Sequence, residues 1–293
     1  MIIDAHTHLL GEYAPCGNLK QHPDEADDFD LGAFDAAVEE LELDRVVTLV
    51  QDMTRIDGGW LGGNPLIAAF QGLRPDKVIG LAGAEPLDTR DQMNHERLAE
   101  VETAFRDGSL SGLVLTPPYG YYYSNDPRCY PFYAAAQQAR VPVYMHHSAQ
   151  LAEAQRAPMK YARTWLLDEV ASDFPKCAFL IEHMGWPWTQ ELFGVMASCP
   201  NVWTDISYSS SRPHLLAWNL TMARDYGLLD RITWGTDYVG DRVDEWAAMV
   251  RKDIHWLRTE LNPILKRCGW PEMTEEEMDA ILRGNAARLF GIG

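Results

Sequence analysis

The chain begins with an apolar stretch that ends in two histidines, Met1-Ile2-Ile3-Asp4-Ala5-His6-Thr7-His8. Isoleucine is typical of β-strands, and side chains two positions apart on a strand point to the same side. His6 and His8 can therefore face one space and bind one metal ion. An HxH triplet alone is a weak signal, because histidines also occur in cores and on surfaces, so its meaning depends on the rest of the fold.

Seven further runs of apolar and β-branched residues follow, with helical patterns between them. With the first stretch, residues 1–6, they give eight predicted strands. The other seven are residues 45–50, 78–84, 112–115, 141–145, 178–182, 202–206 and 232–234. Eight strands that alternate with helices predict an α/β fold, a (β/α)8 TIM barrel. We expect a single domain over residues 1–293, with further helices at its carboxyl-terminal end.

The predicted helices follow the strands and extend beyond the last of them. They are residues 31–41, 65–73, 91–106, 131–140, 160–172, 191–197, 215–226, 241–268, 274–282 and 285–290, with a capping box at Thr274. A doubly wound sheet is the main alternative, but the sequence has neither the glycine-rich fingerprint nor the Walker loop of such nucleotide-binding folds. The glycine pairs 58–59 and 62–63 are interpreted as part of a flexible loop.

The composition is that of a globular protein with a large excess of acidic residues. Of 293 residues, 46% are hydrophobic, and 25 Lys and Arg against 43 Asp and Glu give a net charge of −18. Such a chain repels phosphate backbones and anionic membrane surfaces, so neither nucleic acid nor a membrane is an expected partner. The apolar runs are strand-sized and the first residues do not resemble a signal peptide. We therefore expect a soluble, cytoplasmic protein.

The cysteines argue against two kinds of stabilising site. They are five in number and widely spaced, at Cys16, Cys129, Cys177, Cys199 and Cys268. No two of them form a C-x-x-C pair, so neither a disulfide framework nor a thiolate zinc site is predicted. We expect reduced and mostly buried thiols.

Other strands also end in groups that bind metals. Strand 141–145 is followed by His146 and His147, strand 178–182 by His183, and strand 232–234 by a short segment that reaches Asp237. In a barrel, the carboxyl ends of all strands converge on one face, so these residues can meet His6 and His8 there. Imidazoles with a carboxylate suit zinc or another divalent first-row ion.

Five motifs, in this order along nearly the whole chain, carry a resemblance to a known family. They are DAHTH at 4–8, PVYMH at 142–146, EHMG at 182–185, WGTD at 234–237 and GNAARLF at 284–290. The chain resembles the amidohydrolase superfamily, in particular the amidohydrolase-related branch that includes the amino-carboxymuconate-semialdehyde decarboxylases. The resemblance implies a metal-dependent enzyme.

The resemblance also assigns roles to individual residues. It implies that His6, His8, His146 and Asp237 hold the metal and that His183 acts on the substrate or on water at the ion. His147 competes with His146, which is preferred because the family places its histidine four residues after the strand proline. Binuclear relatives use a modified lysine on strand four, and the stretch 112–115 has none. We therefore expect one divalent ion, zinc first and manganese second.

Two reactions are compatible with this predicted site. The first is hydrolysis of a small carbonyl compound, a lactone, amide or ester, with Asp237 as proton acceptor and His183 stabilising the developing charge. The alternative is non-oxidative decarboxylation of an unsaturated or aromatic acid. The segment Met184-Gly185-Trp186 resembles hydrolase-like members, which favours hydrolysis. A metal-binding barrel without activity is a third hypothesis, disfavoured because every ligand position is filled.

The loops around the predicted site suggest how a substrate is bound. Arg55 after strand two and Arg212 after strand seven are suited to bidentate binding of a carboxylate, although either can also be a solvated loop residue. Trp186 is the best candidate for a pocket wall, because it follows His183 by three residues. Asp205 either supports a histidine ligand or caps its own loop. We expect a small organic acid or lactone as substrate and a possible homodimer.

Overall fold

A computed structural model describes residues 1–149 and 157–292 of the chain. Its strands are β1 (Ile2–Leu9), β2 (Tyr13–Pro15), β3 (Leu43–Leu49), β4 (Gln51–Met53), β5 (Gly59–Leu61), β6 (Val78–Gly83), β7 (Leu113–Leu115), β8 (Val143–Met145), β9 (Phe179–Ile181), β10 (Val202–Asp205), β11 (Ile232–Thr233) and β12 (Val239–Gly240). Its helices are α1 (Leu31–Glu40), α2 (Thr54–Asp57), α3 (Asn64–Leu73), α4 (His95–Asp107), α5 (Pro117–Gly120), α6 (Tyr130–Ala139), α7 (Leu167–Asp173), α8 (Thr189–Ser198), α9 (Pro213–Asp225), α10 (Val243–Thr259), α11 (Leu261–Cys268), α12 (Glu275–Asp279) and α13 (Asn285–Phe290).

The parallel strands form a closed barrel. They are hydrogen-bonded in the order β12, β1, β3, β6, β7, β8, β9, β10 and β11, and β11 and β12 are the two ends of one segment, residues 232–240. Two backbone hydrogen bonds link this segment to β1. The N–H of Ala5 donates to the carbonyl of Trp234, and the N–H of Asp237 donates to the carbonyl of His6. These bonds join the last strand to the first. The predicted TIM barrel is confirmed, and all eight predicted strands overlap its strands.

The apolar side chains are buried on both sides of the barrel wall. An inner cluster fills the barrel, and its large members include Ile3, Leu81, Tyr144, Leu180 and Trp203. A larger outer cluster lies between the wall and the helices. Helix α13 adds Ala286 and Ala287 to the inner cluster, so the carboxyl-terminal helix takes part in the barrel core.

An irregularity in β1 sets the direction of its histidines. Asp4 and Thr7 of β1 pair with Val46 and Thr48 of β3, so three steps along one strand match two along the other. An extra residue of this kind re-aims the side chains that follow it. Ile3 and Ala5 already point into the barrel as members of the inner cluster. Because of the extra residue, the neighbouring His6 ring also points into the barrel, and its centroid lies 6.4 Å from that of Tyr144.

The helices agree with the sequence pattern except at some boundaries. Predicted helix 241–268 is two helices, α10 and α11, because Pro263 lacks the N–H that would donate to Thr259. Predicted helix 91–106 begins only at His95, where the Asn94 side chain accepts a hydrogen bond from the N–H of Arg97. Predicted helix 160–172 starts with short 3-10 turns and becomes α-helical at Leu167. The capping box at Thr274 is confirmed.

The interpretation of the glycine pairs as part of a flexible loop is wrong for Gly59, which lies in a strand. Strands β2, β5 and β4 form a three-stranded antiparallel sheet, in which Gly59 of β5 pairs with Pro15 and Met53. A Cβ atom at Gly59 would lie 2.4 Å from the Tyr13 ring, so glycine is required for close packing inside this sheet. The glycine pairs alone do not distinguish the two structures, because glycine occurs both in flexible turns and where the backbone approaches another group closely.

All five cysteines are free thiols, as expected, and Cys129, Cys177 and Cys199 are buried while Cys16 and Cys268 are exposed. The three buried thiols therefore contribute to packing, and none of the five forms a disulfide. Within residues 1–149 and 157–292, no helix has the length and apolar character needed to cross a membrane.

Candidate metal centre

Three side chains from the first and last strand segments meet at the carboxyl-terminal end of the barrel. The Nε2 atoms of His6 and His8 are 3.4 Å apart. The Oδ1 atom of Asp237 lies 3.3 Å from Nε2 of His6 and 3.6 Å from Nε2 of His8. Both imidazoles are buried, whereas the Asp237 side chain remains 19% exposed. The structure thus brings together three of the four residues that the resemblance implies as ligands.

Hydrogen bonds to the far side of each ring fix the two imidazoles. Nδ1 of His6 lies 2.8 Å from Oδ2 of Asp205, and Nδ1 of His8 lies 2.9 Å from the carbonyl oxygen of Leu49. Each acceptor requires a proton on Nδ1, so Nε2 is the nitrogen with a free lone pair in the neutral ring. Support of this kind is what metal-binding histidines receive in proteins.

The charges around these rings shift their pKa values in opposite directions. Burial disfavours the charged form of His6, but the carboxylates of Asp205 and Asp237 outweigh it and raise the pKa of His6 well above its usual value. Burial and the charge of His6 lower the pKa of His8 to about 4. Burial opposes ionisation of Asp237, yet the nearby His183, His6 and His8 lower the pKa of Asp237. The cluster therefore combines an anionic carboxylate with a neutral His8.

His183 lies next to this group and is held from two sides. Its backbone N–H donates to Oδ1 of Asp205 at 2.9 Å, and its Nδ1 is 2.8 Å from Oγ of Ser207. Its Nε2 is 3.8 Å from Oδ2 of Asp237. The backbone of His183 is left-handed, with φ of 56°, and so is that of Asp237, with φ of 57°. Such conformations are costly for residues other than glycine and are concentrated at functional sites.

Asp205 supports two histidines and also caps its own loop, so both interpretations of this residue hold. In addition to its hydrogen bonds with His6 and His183, Asp205 accepts two from Ser207. The N–H and the hydroxyl of Ser207 both donate to Oδ1 of Asp205. Because the Ser207 hydroxyl donates to Asp205, its oxygen accepts the Nδ1 proton of His183. Nε2 of His183 is therefore the nitrogen that faces Asp237.

His146 and His147 differ in what they face. Nε2 of His146 is 3.3 Å from Oη of Tyr119 and 3.2 Å from Oγ of Ser148, and its ring centroid is 5.4 Å from that of His183. His147 is buried, with Nδ1 3.2 Å from the carbonyl oxygen of Arg163. His146 borders the site, but its donor atoms belong to neither of the two groups of potential ligands formed by the described residues. Its role as a ligand stays a prediction.

Glu182 is the residue of the site that sequence reasoning overlooked. It follows strand β9 and is fully buried, and its Oε2 lies 2.8 Å from Nδ1 of His146. Burial opposes its ionisation, but the nearby His146, His6 and His183 lower the pKa of Glu182. Its position directly after an apolar strand and directly before His183 was the available signal. Burial of the side chain, which decides its importance, is not visible in the sequence.

A small cleft that is partly open to solvent adjoins His183. Its walls include His183 itself, Trp186, Tyr208 and Arg212. The guanidinium of Arg212 lies 5.5 Å from the Trp186 ring centroid and 5.0 Å from that of Tyr208. It donates to the Ser211 hydroxyl, and no carboxylate within the described ranges forms a salt bridge with it. The structure thus brings Trp186 and Arg212 together with His183.

Arg55 lies elsewhere. It is on α2, its Nη2 atom is 3.2 Å from Oδ1 of Asp91, and it is not among the residues that line the cleft beside His183. Its charge also acts on the buried Glu85. These contacts explain the position of Arg55 within the protein, and its predicted role in substrate binding stays untested.

The donor set fits a divalent metal ion. Two ligands about 2.1 Å from a zinc ion in tetrahedral geometry lie about 3.4 Å apart. The three separations among His6, His8 and Asp237 are 3.3 to 3.6 Å. Two imidazole nitrogens and a carboxylate oxygen are donors that zinc and manganese both accept. The buried carboxylate of Glu182 borders the group, with its Oε2 3.9 Å from Nε2 of His183.

Several solved structures share this fold. An uncharacterised TIM-barrel protein from Bordetella bronchiseptica is 20% identical, with a TM-score of 0.67 over 90% of this chain and 83% of its own. A probable 2-pyrone-4,6-dicarboxylic acid hydrolase from Acinetobacter baumannii, with citric acid bound, is 16% identical, with a TM-score of 0.63 over 99% of each chain. A dihydroxybenzoic acid decarboxylase from a Polaromonas species, with bound manganese and the inhibitor 2-nitroresorcinol, is 15% identical, with a TM-score of 0.60 over 90% and 86%.

The sequence itself identifies the family. No curated protein matches the chain. The family model for amidohydrolases, however, matches residues 3–292, which include the histidines of β1 and Asp237 as well as α13. The chain therefore belongs to the amidohydrolase family of metal-dependent enzymes.

Proposed function

We propose that this protein uses one divalent metal ion to hydrolyse a small carbonyl compound, a lactone, amide or ester of an organic acid. The observation that carries the proposal is the position of Asp237 between two sets of partners. Its Oδ1 faces the Nε2 atoms of His6 and His8, and its Oδ2 lies 3.8 Å from Nε2 of His183, which lines the cleft. A single carboxylate thus lies between the metal donors and the histidine that lines the cleft.

The residues divide the chemistry among them. His6, His8 and Asp237 would hold the ion, which when bound supplies Lewis-acid activation of water and of a carbonyl group. Asp237 accepts the proton of the attacking water and returns it to the leaving group. His183, whose Nδ1 proton is bound by Ser207, presents Nε2 to the cleft and stabilises charge that develops on the substrate oxygen when this nitrogen is protonated.

The cleft favours a substrate that carries a carboxylate. Arg212 lies between two aromatic rings and has no acidic partner within the described part of the chain, so its donors are available to a ligand. In a protein of net charge −18, a positive group at this point offsets the repulsion of an anion. The relative from Acinetobacter is named for a dicarboxylic acid and contains citric acid, which agrees with this choice.

Zinc is the proposed ion and manganese the alternative. Two imidazoles and a carboxylate form the type of site that zinc occupies in many hydrolytic enzymes. The Polaromonas relative contains manganese, which supports the alternative. Elemental analysis of the protein as purified distinguishes the two.

A direct test compares ring opening or acid release with carbon dioxide release. Purified protein with zinc or manganese is incubated with lactones and esters of small dicarboxylic acids, and with hydroxybenzoic and unsaturated acids. We expect hydrolysis without carbon dioxide. Asp237→Asn should abolish it while the exposed variant Asp230→Asn keeps it. Release of carbon dioxide alone would instead establish decarboxylation, and full activity of Asp237→Asn would overturn the role of this carboxylate.

A further inference from the structure

Asn219 is a buried asparagine whose side-chain amide has no hydrogen-bond partner among the described residues. Three asparagines are buried in the described part of the chain, and the amides of the other two are bonded. Asn64 donates to the carbonyl of Gly83 and accepts from its N–H, and Asn285 donates to two backbone carbonyls. A buried amide without a partner is costly, so the amide of Asn219 needs a ligand.

Asn219 lies on the face of α9 that lines the cleft beside His183. Arg212, which directly precedes α9, also lines this cleft, and so do Leu215 and Leu216. Side chains three, four and seven positions along a helix from a given residue lie on the same side of that helix. Residues seven apart are separated by about 10 Å along the helix axis. The cleft therefore offers a cation and a neutral amide about two helical turns apart, with leucine side chains between them.

The local structure of α9 does not explain the asparagine. Asn219 lies in the middle of this helix, where asparagine is less favourable than alanine or leucine. Thr221 is also buried on α9, but its hydroxyl donates to the carbonyl of Ala217. The amide of Asn219 makes no such bond, so the position of this residue in the cleft is the feature that explains it.

We propose that the amide of Asn219 binds a neutral group of the substrate that both donates and accepts a hydrogen bond, such as a hydroxyl. The inference rests on the proposed function, from which it takes the binding of the substrate carboxylate by Arg212. An asparagine amide has N–H donors and a carbonyl acceptor, and a hydroxyl group can bond to both. A second carboxylate would leave the carbonyl of Asn219 without a donor. The substrate class is then a hydroxylated organic acid, in which an apolar body separates the carboxylate from the hydroxyl.

The walls of the cleft favour a flat apolar body. The rings of Trp186 and Tyr208 lie beside the guanidinium of Arg212. Asn219 and Trp186 also border an adjoining open groove, whose walls include Trp188. Aromatic side chains pack favourably against other rings. Aromatic acids are therefore suitable probes, and their rigid rings fix the distance between the carboxylate and the hydroxyl.

Equilibrium binding tests the proposal without any turnover. Cinnamate, para-hydroxycinnamate, phenylacetate and para-hydroxyphenylacetate are titrated by calorimetry into the protein as purified. A neutral hydrogen bond makes a modest net contribution, so at least one hydroxylated acid should bind about 3- to 10-fold more tightly than its parent acid. Asn219→Leu and Asn219→Ala should reduce this ratio to about one, because the amide that binds the hydroxyl is gone. His214→Gln, at an exposed position of the same helix, should keep the ratio.

Thermal unfolding without ligand separates a binding role of Asn219 from a structural one. Asn285→Ala removes an amide with two hydrogen bonds and should lower the melting temperature. Asn219→Ala should leave the melting temperature unchanged or raise it, because no hydrogen bond is lost and alanine favours the helix. Equal decreases for the two variants would make the amide of Asn219 structural and overturn the proposal.

The binding outcomes distinguish this inference from the proposed function. Arg212→Gln should weaken the binding of all these acids and keep the preference for the hydroxylated one. A preference that persists in both Asn219 variants, or none in the wild type, would overturn the role of Asn219 and leave that of Arg212 in place. If the wild type bound none of the acids, carboxylate binding in the cleft, and with it the proposed function, would be contradicted as well.

Discussion

At the scale of single residues, the site depends on groups that hold other groups in place. Asp205 supports His6 through one oxygen and His183 through the other, and it is fully buried. Burial opposes its ionisation, but His6 lowers the pKa of Asp205, so the residue is an anion at neutral pH. It therefore links the histidine of the metal group to the histidine of the cleft.

Asp205→Asn should weaken metal binding without removing a ligand. The amide can still contact Nδ1 of His6, but it lacks the charge that fixes the proton there. Affinity for Zn²⁺ should fall by about 10- to 100-fold, the usual cost of losing such support. Competition with a chelator measures it, with the exposed Asp230→Asn as the control. Equal affinities for all three proteins would show that Asp205 does not support the site.

Arg212→Gln should raise KM for anionic substrates more than it lowers kcat. A hydrogen bond to a charged group contributes about 1.5–3 kcal/mol, so KM should rise by about 10- to 100-fold. A neutral analogue, such as the methyl ester of the same acid, should be affected little. Arg242→Gln, whose arginine pairs with Asp244 on the surface, is the matched control. An equal rise of KM for charged and neutral substrates would contradict carboxylate binding by Arg212.

At the scale of elements, strand ends were predictable and the contacts between them were not. The apolar runs located all eight barrel strands, and the spacing after them placed His6, His8, His183 and Asp237 at one face. The partners of these residues come from distant parts of the chain, as with His146 and Glu182, which are 36 positions apart. No local pattern shows such a pair, so the importance of Glu182 emerged only from the structure.

The segments that follow β3 and β6, which include β4 and the start of α4, hold a second group of charges. The N–H of Glu85 donates to Oδ2 of Asp52, and Nε of Arg97 lies 3.3 Å from the same oxygen. Arg97 also lies over the Trp60 ring of β5, 4.5 Å from its centroid. This group joins the small antiparallel sheet to the barrel. Burial and the charge of Asp52 raise the pKa of Glu85 well above its usual 4.5.

Glu85→Gln should change how stability depends on pH. The raised pKa means that the folded protein holds the Glu85 proton more tightly than the unfolded chain does. The resulting stabilisation is complete below the unfolded pKa and is lost as pH rises through the folded pKa, by about 1.4 kcal/mol per pH unit. The free energy of unfolding of the wild type should therefore fall relative to that of Glu85→Gln over the pH range above 4.5.

Urea unfolding at several pH values measures this difference, and Glu102→Gln, exposed on α4, is the control. A constant offset between the wild type and Glu85→Gln across that range would contradict the shifted pKa of Glu85. An increase in the relative stability of the wild type with rising pH would contradict its direction.

At the scale of the whole molecule, Asp4 joins the first strand to the last and to α10. Its Oδ1 accepts from the N–H of Thr236, and its Oδ2 accepts from the Thr236 hydroxyl and from Nε1 of Trp246. All three residues are buried, and Thr236 precedes Asp237 directly. The bonds that close the barrel therefore also set the position of the Asp237 carboxylate.

Asp4→Ala should destabilise the fold far more than loss of a single contact. It leaves four buried donors, the N–H of His6, the N–H and hydroxyl of Thr236 and Nε1 of Trp246, without this acceptor. This should cost about 2–5 kcal/mol in the free energy of unfolding, whereas Trp246→Phe removes one donor and should cost about 1 kcal/mol. Urea unfolding of the metal-free proteins compares them. If Asp4→Ala were no less stable than Trp246→Phe, the closure of the barrel would not depend on Asp4.

We infer that this barrel holds one catalytic ion through the histidines of its first strand. Elemental analysis of purified wild type tests it beside the double variant His6→Ala, His8→Ala and the double control His95→Ala, His255→Ala. We predict about one equivalent of zinc or manganese in the wild type and the control, and almost none in the first variant. Metal retained by the first variant, or none taken up by the wild type on reconstitution, would contradict the account.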